Sequence, residues 1–417
     1  MLRKSTILNL ITGDFLNQLT IILSFPILII LYTPQDIGYC GEFLSYLSLL
    51  SILVTLGYDL AIINPDKNKS FIYFQASIQF SLINSLIVSL IFLIFFNELD
   101  FFSDNMLILS AWVYSIIFLI GLIFTSLYSP IRYFYLTNNK ANDVSQATIH
   151  HSLIRVFVLI GVYYTNLGWI GIVLSEIISK GYFVIFLFLR RGNITKNTSF
   201  KNQSIIEIFK KNYQYPFFVM PSSFIDTFAT LAPLFFITYL YKTHEYTGLF
   251  FLATKIIYTP INLLSKSFSD IFHIAISSYM KESEKKIISF FHSSFIKILL
   301  ISLLIYLPLG SLAVITIPIF VSDMWKDLGL LIFILIPIAL GKALTSILGR
   351  AILISKKRSI KFIVDLTRLV LPLTSLYLGH TLELSFFENL TLFSLTVLIA
   401  DLFYIVVVRY SLNYLDL

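Results

Sequence analysis

The stretch YPFFVMPSSFIDTFATLAPLFFITYLYKTHEYTGLFFLATKIIYTP, residues 215–260, reads as two hydrophobic helices joined by a short polar turn. It carries Pro216, Pro221, Pro233 and Pro260, with Asp226 on the first apolar run and Lys255 on the second. A plain membrane anchor has no need of them. An ionisable side chain at membrane depth costs roughly 2.5–3.5 kcal/mol on insertion scales, so two on adjacent segments point to a water-filled or protein-lined cavity. Each proline frees backbone groups that only a neighbouring helix or water can satisfy. The pattern fits the seam of a transporter.

The whole chain has the composition of a bilayer protein. Of its 417 residues 57% are hydrophobic and 13% charged, and mean hydropathy is +0.85, against about 25% charged residues in soluble domains. The net charge of +7 does not imply nucleic acid, because the basic residues lie in short loops between apolar runs, as the positive-inside rule requires. Cys40 is the single cysteine, which excludes an internal disulfide and a thiol metal cluster. His150 and His151 are adjacent but lack the further His or Cys partners of a zinc site, so a polar pair at a helix end is the simpler reading. Residues 1–31 open with Arg3 and Lys4 and run on too long for a signal-peptide core, with no small-x-small cleavage site; an uncleaved first span is expected.

Apolar runs near 20 residues span about 30 Å of hydrocarbon as helix, and the chain holds twelve: 9–31, 39–63, 71–97, 105–128, 144–165, 168–189, 213–240, 247–271, 287–308, 328–352, 362–378 and 386–408. The fold class is therefore an all-α membrane protein with about twelve transmembrane helices. Alternate connections carry twenty Lys and Arg on the side of both termini and only Lys242 and Lys326 on the other. That asymmetry predicts cytoplasmic N- and C-termini and an even number of spans.

The longest polar segment, around 190–212, lies almost midway and ends in Ile205, Ile206, Ile208 and Phe209 interleaved with Glu207, Lys210 and Lys211. A short amphipathic surface helix fits this pattern, and the segment divides the chain into a lobe at 1–195, a cytoplasmic linker at 196–212 and a second lobe at 213–417. Residues 14–44 also align with 223–253 across one gap, pairing Phe15 with Phe224, Tyr32 with Tyr241 and Gly38 with Gly248. Internal repeats of this kind mark alternating-access transporters, whose site lies between the halves.

Three intramembrane pairs neutralise one another at helical spacing: Glu176 with Lys180, Lys266 with Asp270, and Asp365 with Arg368. Asp14, Asp59, Arg155, Asp226, Lys255, Lys297, Lys342 and Asp401 have no such partner. Each must pair across helices, face a cavity or snorkel to an interface. Snorkelling is open to Asp14 and Asp59, near span ends; Arg155, Asp226, Lys255, Lys297 and Lys342 lie deeper. A net positive cavity would suit a diphosphate, which Arg and Lys bind by charge-assisted hydrogen bonds. The candidate substrate-binding residues are thus Lys255, Arg155, Lys297 and Lys342. Asp226, Asp14 and Asp59 are the candidate acids for exchange of a proton or sodium ion. Walker, nucleotide-fold, GxSxG and HExxH motifs are absent, so the chain reads as a gradient-coupled transporter without a cofactor and not as an enzyme.

The residues at 31–67, LYTPQDIGYCGEFLSYLSLLSILVTLGYDLAIINPDK, resemble the polysaccharide biosynthesis flippases, whose first span ends in a Leu-Tyr-x-Pro-x-x-Phe/Ile-Gly turn and whose second ends in Leu-Gly-Tyr/Phe-x-x-Ala-Ile. Asn138-Asn139-Lys140 and Gly168-Trp169-Ile170-Gly171 resemble a second region of the same proteins. A third is carried by Pro216, Pro221, Ser222, Pro233, Leu234, Gly248, Phe250, Leu252, Ala253, Lys255, Ile256 and Pro260. The resemblance covers most of residues 1–290 and fades afterwards.

It implies a member of the multidrug/oligosaccharidyl-lipid/polysaccharide exporter superfamily, V-shaped, with two pseudo-symmetric six-helix bundles. The implied activity moves an undecaprenyl-diphosphate-linked oligosaccharide, an O-antigen or capsule repeat unit, across a bacterial inner membrane to the periplasmic leaflet. Its partners would be that lipid, the polysaccharide polymerase and glycosyltransferases. Lys255 stands at the family's basic position in span eight, with the charge but not the bidentate fork of arginine, and Asp59 at the polar position closing span two. The rival readings are a cation-coupled drug antiporter of the same superfamily, with Asp14 and Asp226 as exchangers, and a membrane polysaccharide polymerase. The second lacks a long periplasmic loop rich in Arg and His.

Overall fold

Backbone groups in hydrocarbon have no water to bond, so a chain this apolar satisfies them within helices or a closed barrel. The computed structural model describes residues 4–63, 67–95, 111–190, 208, 210, 212–279, 284–349, 351 and 358–412, and these contain helices and turns but no strand. In order the α-helices are α1 Lys4–Leu31, α2 Pro34–Thr55, α3 Tyr58–Ala61, α4 Lys67–Phe95, α5 Ala111–Thr137, α6 Ala141–Tyr163 and α7 Trp169–Arg190. After a π-helical turn at Tyr215–Val219 come α8 Met220–Tyr241, α9 His244–Tyr279, α10 Glu284–Phe320, α11 Leu328–Ile334, α12 Ile336–Leu348, α13 Arg358–Thr381 and α14 Phe386–Ser411.

Over their described residues the twelve expected spans fall on helix, with two of them broken. Among the described residues eight helices are long and apolar enough to cross a membrane, or nine when α11 and α12 count as one span bent by 47°. The other three, α6, α9 and α13, hold many of the polar and charged residues discussed below. The α11–α12 break has a local cause: Pro337 offers no N–H to the carbonyl one turn back, and Leu335 sits at φ −87°, ψ 0°. The break between α2 and α3 is made by Leu56 and Gly57, both at positive φ. Gly57 tolerates that backbone, whereas Leu56 is strained there.

The chain divides into two compact units: Met1–Ile27 with Tyr39–Leu231, and Leu28–Gly38 with Ala232–Leu417. The dividing point thus lies inside α8, and most of the expected linker, 196–207, lies outside the described residues, as do Ile205, Ile206, Glu207, Phe209 and Lys211 of the expected surface helix. Unit 1 has its core around Tyr58, Phe74, Phe134 and Phe183, all buried, with the Phe74 and Phe134 rings stacked at 4.1 Å. The entry to α8 is fixed to this core. Tyr73 donates to Asn212 Oδ1 at 2.8 Å, and the Tyr215 ring packs 5.7 Å from Tyr58 and 5.6 Å from Tyr73. Unit 2 is centred on Phe272, Ile276, Phe291, Leu348 and Val408; the buried Trp325 donates to the Tyr32 carbonyl at 3.3 Å.

The internal repeat has a structural counterpart. α1 ends at Leu31 and α2 begins at Pro34; α8 ends at Tyr241 and α9 begins at His244. Thr33 and Thr243 start the second helix of each pair. Thr33 Oγ1 accepts from the Asp36 N–H at 3.1 Å and Asp36 Oδ2 accepts from the Thr33 N–H at 3.2 Å, while Thr243 Oγ1 accepts from the Glu245 N–H at 3.3 Å. Such caps satisfy donors that the first turn leaves open. Gly38 and Gly248 follow at the same distance from each threonine.

Candidate functional site

In unit 1 a chain of polar side chains crosses four apolar helices. Arg132 on α5 donates through one nitrogen to both oxygens of Asp14 on α1, at 2.9 and 3.1 Å. One turn earlier on α5, Tyr128 bonds to Arg132 and lies 5.8 Å, ring to ring, from His151 on α6. Another turn along α6, Arg155 reaches Glu176 of α7 at 3.8 Å, and Glu176 also holds Lys180 at 3.3 Å. Lys180 extends to Thr125 Oγ1 at 3.4 Å. The helical repeat explains the assembly: 125, 128 and 132 share one face of α5, 151 and 155 one face of α6, 176 and 180 one face of α7.

The charge balance of this cluster is uneven. Among the described residues three cations, Arg132, Arg155 and Lys180, meet two carboxylates, Asp14 and Glu176. The five side chains keep 17–31% of their surface accessible, so the excess positive charge can meet a ligand. Two guanidinium forks and an ammonium are the donor set that phosphate oxygens accept from.

A second network lies in unit 2 and is built around a buried carboxylate. Asp401 on α14, only 3% exposed, accepts from two nitrogens of Arg368 on α13, each at 2.7 Å. Arg368 also reaches Thr345 on α12 at 3.4 Å, stacks 4.9 Å from the Tyr404 ring and lies 3.8 Å from Asp365. Lys342 and Tyr258 are close enough to Asp401 to interact with its charge. Gly341 makes room, since a Cβ there would overlap Asp401 Oδ2. A buried charge such as Asp401 persists in such an interior only when paired and hydrogen-bonded, so its pair with Arg368 is architectural.

The seven candidates from the sequence are therefore dispersed. Arg155 and Asp14 join the unit 1 cluster, and Lys342 borders the unit 2 network. Asp59 lies in the first turn of the short α3, accepting from Thr55 Oγ1 at 3.4 Å. Asp226 is exposed on α8 and Lys255 exposed on α9, where its Nζ lies 5.1 Å from the Phe251 ring centre. Lys297 is exposed on α10. The i,i+4 pairing of Glu176 with Lys180 is present; Asp365 and Arg368 also meet, but the shorter bonds of Arg368 go to Asp401. The side chains of Lys266 and Asp270 lie outside the described residues. His150 bonds to Tyr182 at 3.1 Å, whereas His151 is buried toward Tyr128 and Phe183. Residues 14–44 also hide Glu42, 1% exposed within α2, which the sequence reading passed over although a lone acid in an apolar run is itself a signal.

Known proteins supply the frame for this geometry. An outward-facing multidrug resistance MATE family transporter of the MOP superfamily superposes with a TM-score of 0.62 at 14% identity, over 98% of this chain and 95% of that one. A Vibrio cholerae MATE transporter gives 0.63 at 15%, over 98% and 97%. A MOP superfamily transporter from Pyrococcus furiosus, described as having a binding pocket of reverse polarity that suggests a different function, gives 0.61 at 13%, over 98% and 95%. No curated protein matches the chain. These likenesses establish the fold. A family model described as polysaccharide biosynthesis protein matches residues 27–329, and so the chain, a multi-pass membrane protein with the fold of MOP-superfamily transporters, belongs to the polysaccharide biosynthesis protein family.

Proposed function

We propose that the protein is a flippase that moves undecaprenyl-diphosphate-linked oligosaccharide repeat units, of the O-antigen or capsule kind, from the cytoplasmic to the periplasmic leaflet of a bacterial inner membrane. The observation that carries this reading is the unit 1 cluster, where Arg132, Arg155 and Lys180 outnumber Asp14 and Glu176 and stay accessible. The cluster suits an anionic headgroup better than a cationic drug. Membership of a polysaccharide biosynthesis family supports the lipid-linked sugar as that anion. The excess of twenty Lys and Arg over two supports cytoplasmic termini. Lys255, Lys297 and Lys342 remain candidate contacts in unit 2, and the polymerase and glycosyltransferases of the same polysaccharide the candidate partners.

An antiporter would work through carboxylates that exchange ions. Asp14, the first of these, is held by the Arg132 guanidinium at 2.9 Å, an internal cation standing where an exchanged one would bind. The Pyrococcus furiosus protein, with its pocket of reverse polarity, illustrates that this fold carries pockets of either sign. The deciding experiment is deletion of the gene with the lipid-linked oligosaccharide followed by leaflet. Accumulation facing the cytoplasm is expected. Unchanged surface polysaccharide with raised drug sensitivity would establish the antiporter instead.

A further inference from the structure

Unit 2 carries a groove that neither charge network uses. α9, α10 and α12 leave a cavity of about 200 Å³ between them. Pro260 shapes one wall, because it has no N–H to continue the α9 ladder. Tyr306 of α10 donates to the Ile257 carbonyl at 2.9 Å, and its ring, 2% exposed, lines the inner side of the groove. Phe272, Phe290 and Ile298 add apolar walls. Phe268 and Ile301 line the groove yet are each 42% exposed, so it is open along its outer edge.

Among the described residues Lys297 is the only charged one lining it, with no carboxylate beside it. The ammonium stands thirteen residues into α10, about 20 Å along the helix axis from its start, inside an apolar stretch where an uncompensated charge is disfavoured. An anionic ligand resolves that cost. The volume is below the ~300–1,000 Å³ of sites that enclose a compact drug-sized molecule; it suits a short piece of hydrocarbon chain entering from the open edge.

We propose that this groove seats the headgroup-proximal isoprene units of the cargo's polyprenyl chain, with Lys297 donating to its diphosphate. The inference rests on the flippase reading above and adds to it a docking place for the lipid tail. A straight-chain anionic phospholipid is the competing occupant, and the experiment separates the two.

Purified full-length protein in detergent is titrated with undecaprenyl diphosphate lacking sugar, and separately with phosphatidylglycerol, and bound lipid is read by native mass spectrometry. Wild-type protein is expected to retain the isoprenoid diphosphate in the presence of excess phosphatidylglycerol. Ile301→Trp and Ser346→Leu, which fill the groove from α10 and α12, and Lys297→Gln should each weaken it by about tenfold, with Lys297→Arg close to wild type. Two groove-filling variants guard against one that fails to fold. Wild-type affinity in both of them and in Lys297→Gln overturns the groove while leaving the flippase reading standing. Equal or tighter retention of phosphatidylglycerol overturns it too, as a phospholipid seat. The flippase reading fails separately, in the leaflet assay of the deletion strain.

Discussion

Gly38 and Gly248 pack backbone against backbone: a Cβ on Gly38 would overlap the His244 carbonyl, and a Cβ on Gly248 would overlap the carbonyl of Pro34. The Gly248 Cβ would also meet the Gly38 nitrogen at 2.8 Å. These are the two glycines that the internal repeat sets in register, so the repeat-related turns meet at their equivalent residues. Small residues at such crossings let membrane helices approach closely, and dispersion and weak hydrogen bonds then hold them.

Gly38→Val and Gly248→Val should therefore each lower stability by about 3 kcal/mol or more, since backbone on the opposite side cannot yield as a side chain would. Thermal unfolding of the purified protein in detergent measures it. Gly161→Ala is the control: nothing lies within 4 Å of its added Cβ, and alanine is favoured over glycine in a helix by about 0.8–1 kcal/mol, so this variant should be unchanged or slightly more stable.

Arg368 and Asp401 pair in unit 2, at 2.7 Å. Removing one partner strands a charge in the interior, and Asp401→Ala or Arg368→Leu should cost about 3–5 kcal/mol. The double change Arg368→Met with Asp401→Leu should recover most of that loss, because apolar residues of similar volume replace a buried pair at little net cost. A double-mutant cycle on unfolding midpoints checks it, and additive losses would contradict the pairing.

Helix positions were legible because hydrocarbon leaves the backbone few options, and loop charges, turn residues and apolar run lengths all bear on the same segments. The breaks were less so. Pro337 is a visible helix breaker, but Gly57 packs against the Tyr215 carbonyl and the Met220 nitrogen, a contact between residues distant in sequence that no local pattern encodes. Charge pairs at i,i+4, such as Glu176 with Lys180, follow from helix geometry. Pairs between helices do not: Arg132, counted from sequence as a loop residue, closes on Asp14 across 118 residues, and Asp401 takes the guanidinium that spacing alone gives to Asp365.

His244, ahead of the expected span at 247–271, supplies a pH dependence. Burial at the start of α9 pushes its imidazole down to about 4, so the native state holds it neutral. The unfolded chain protonates near the ordinary value of about 6.5; below that, protons favour unfolding, and stability falls as pH drops from there toward 4. Unfolding midpoints measured from pH 7.5 to 4.5 should decline less steeply in His244→Gln than in the wild type, with the two curves parallel above pH 7.

Arg155 and Glu176 make the sharpest functional prediction. Glu176 is shared between Arg155 at 3.8 Å and Lys180 at 3.3 Å, so one carboxylate neutralises one of two cations. Arg155→Ala removes the surplus positive charge, and at unchanged membrane levels it should weaken uptake of lipid-linked sugar by about tenfold or more, the scale of a lost charge-assisted hydrogen bond. Arg155→Lys keeps the charge but loses the fork and should fall between. Glu176→Gln acts in the opposite sense: the local charge rises by one, the anionic headgroup binds more tightly, and release becomes the slow step. A reconstituted flipping assay should then show a lower half-saturating lipid concentration together with a lower maximal rate, a split that simple misfolding does not produce. Equal behaviour of Arg155→Ala and wild type would remove the cluster from the transport cycle.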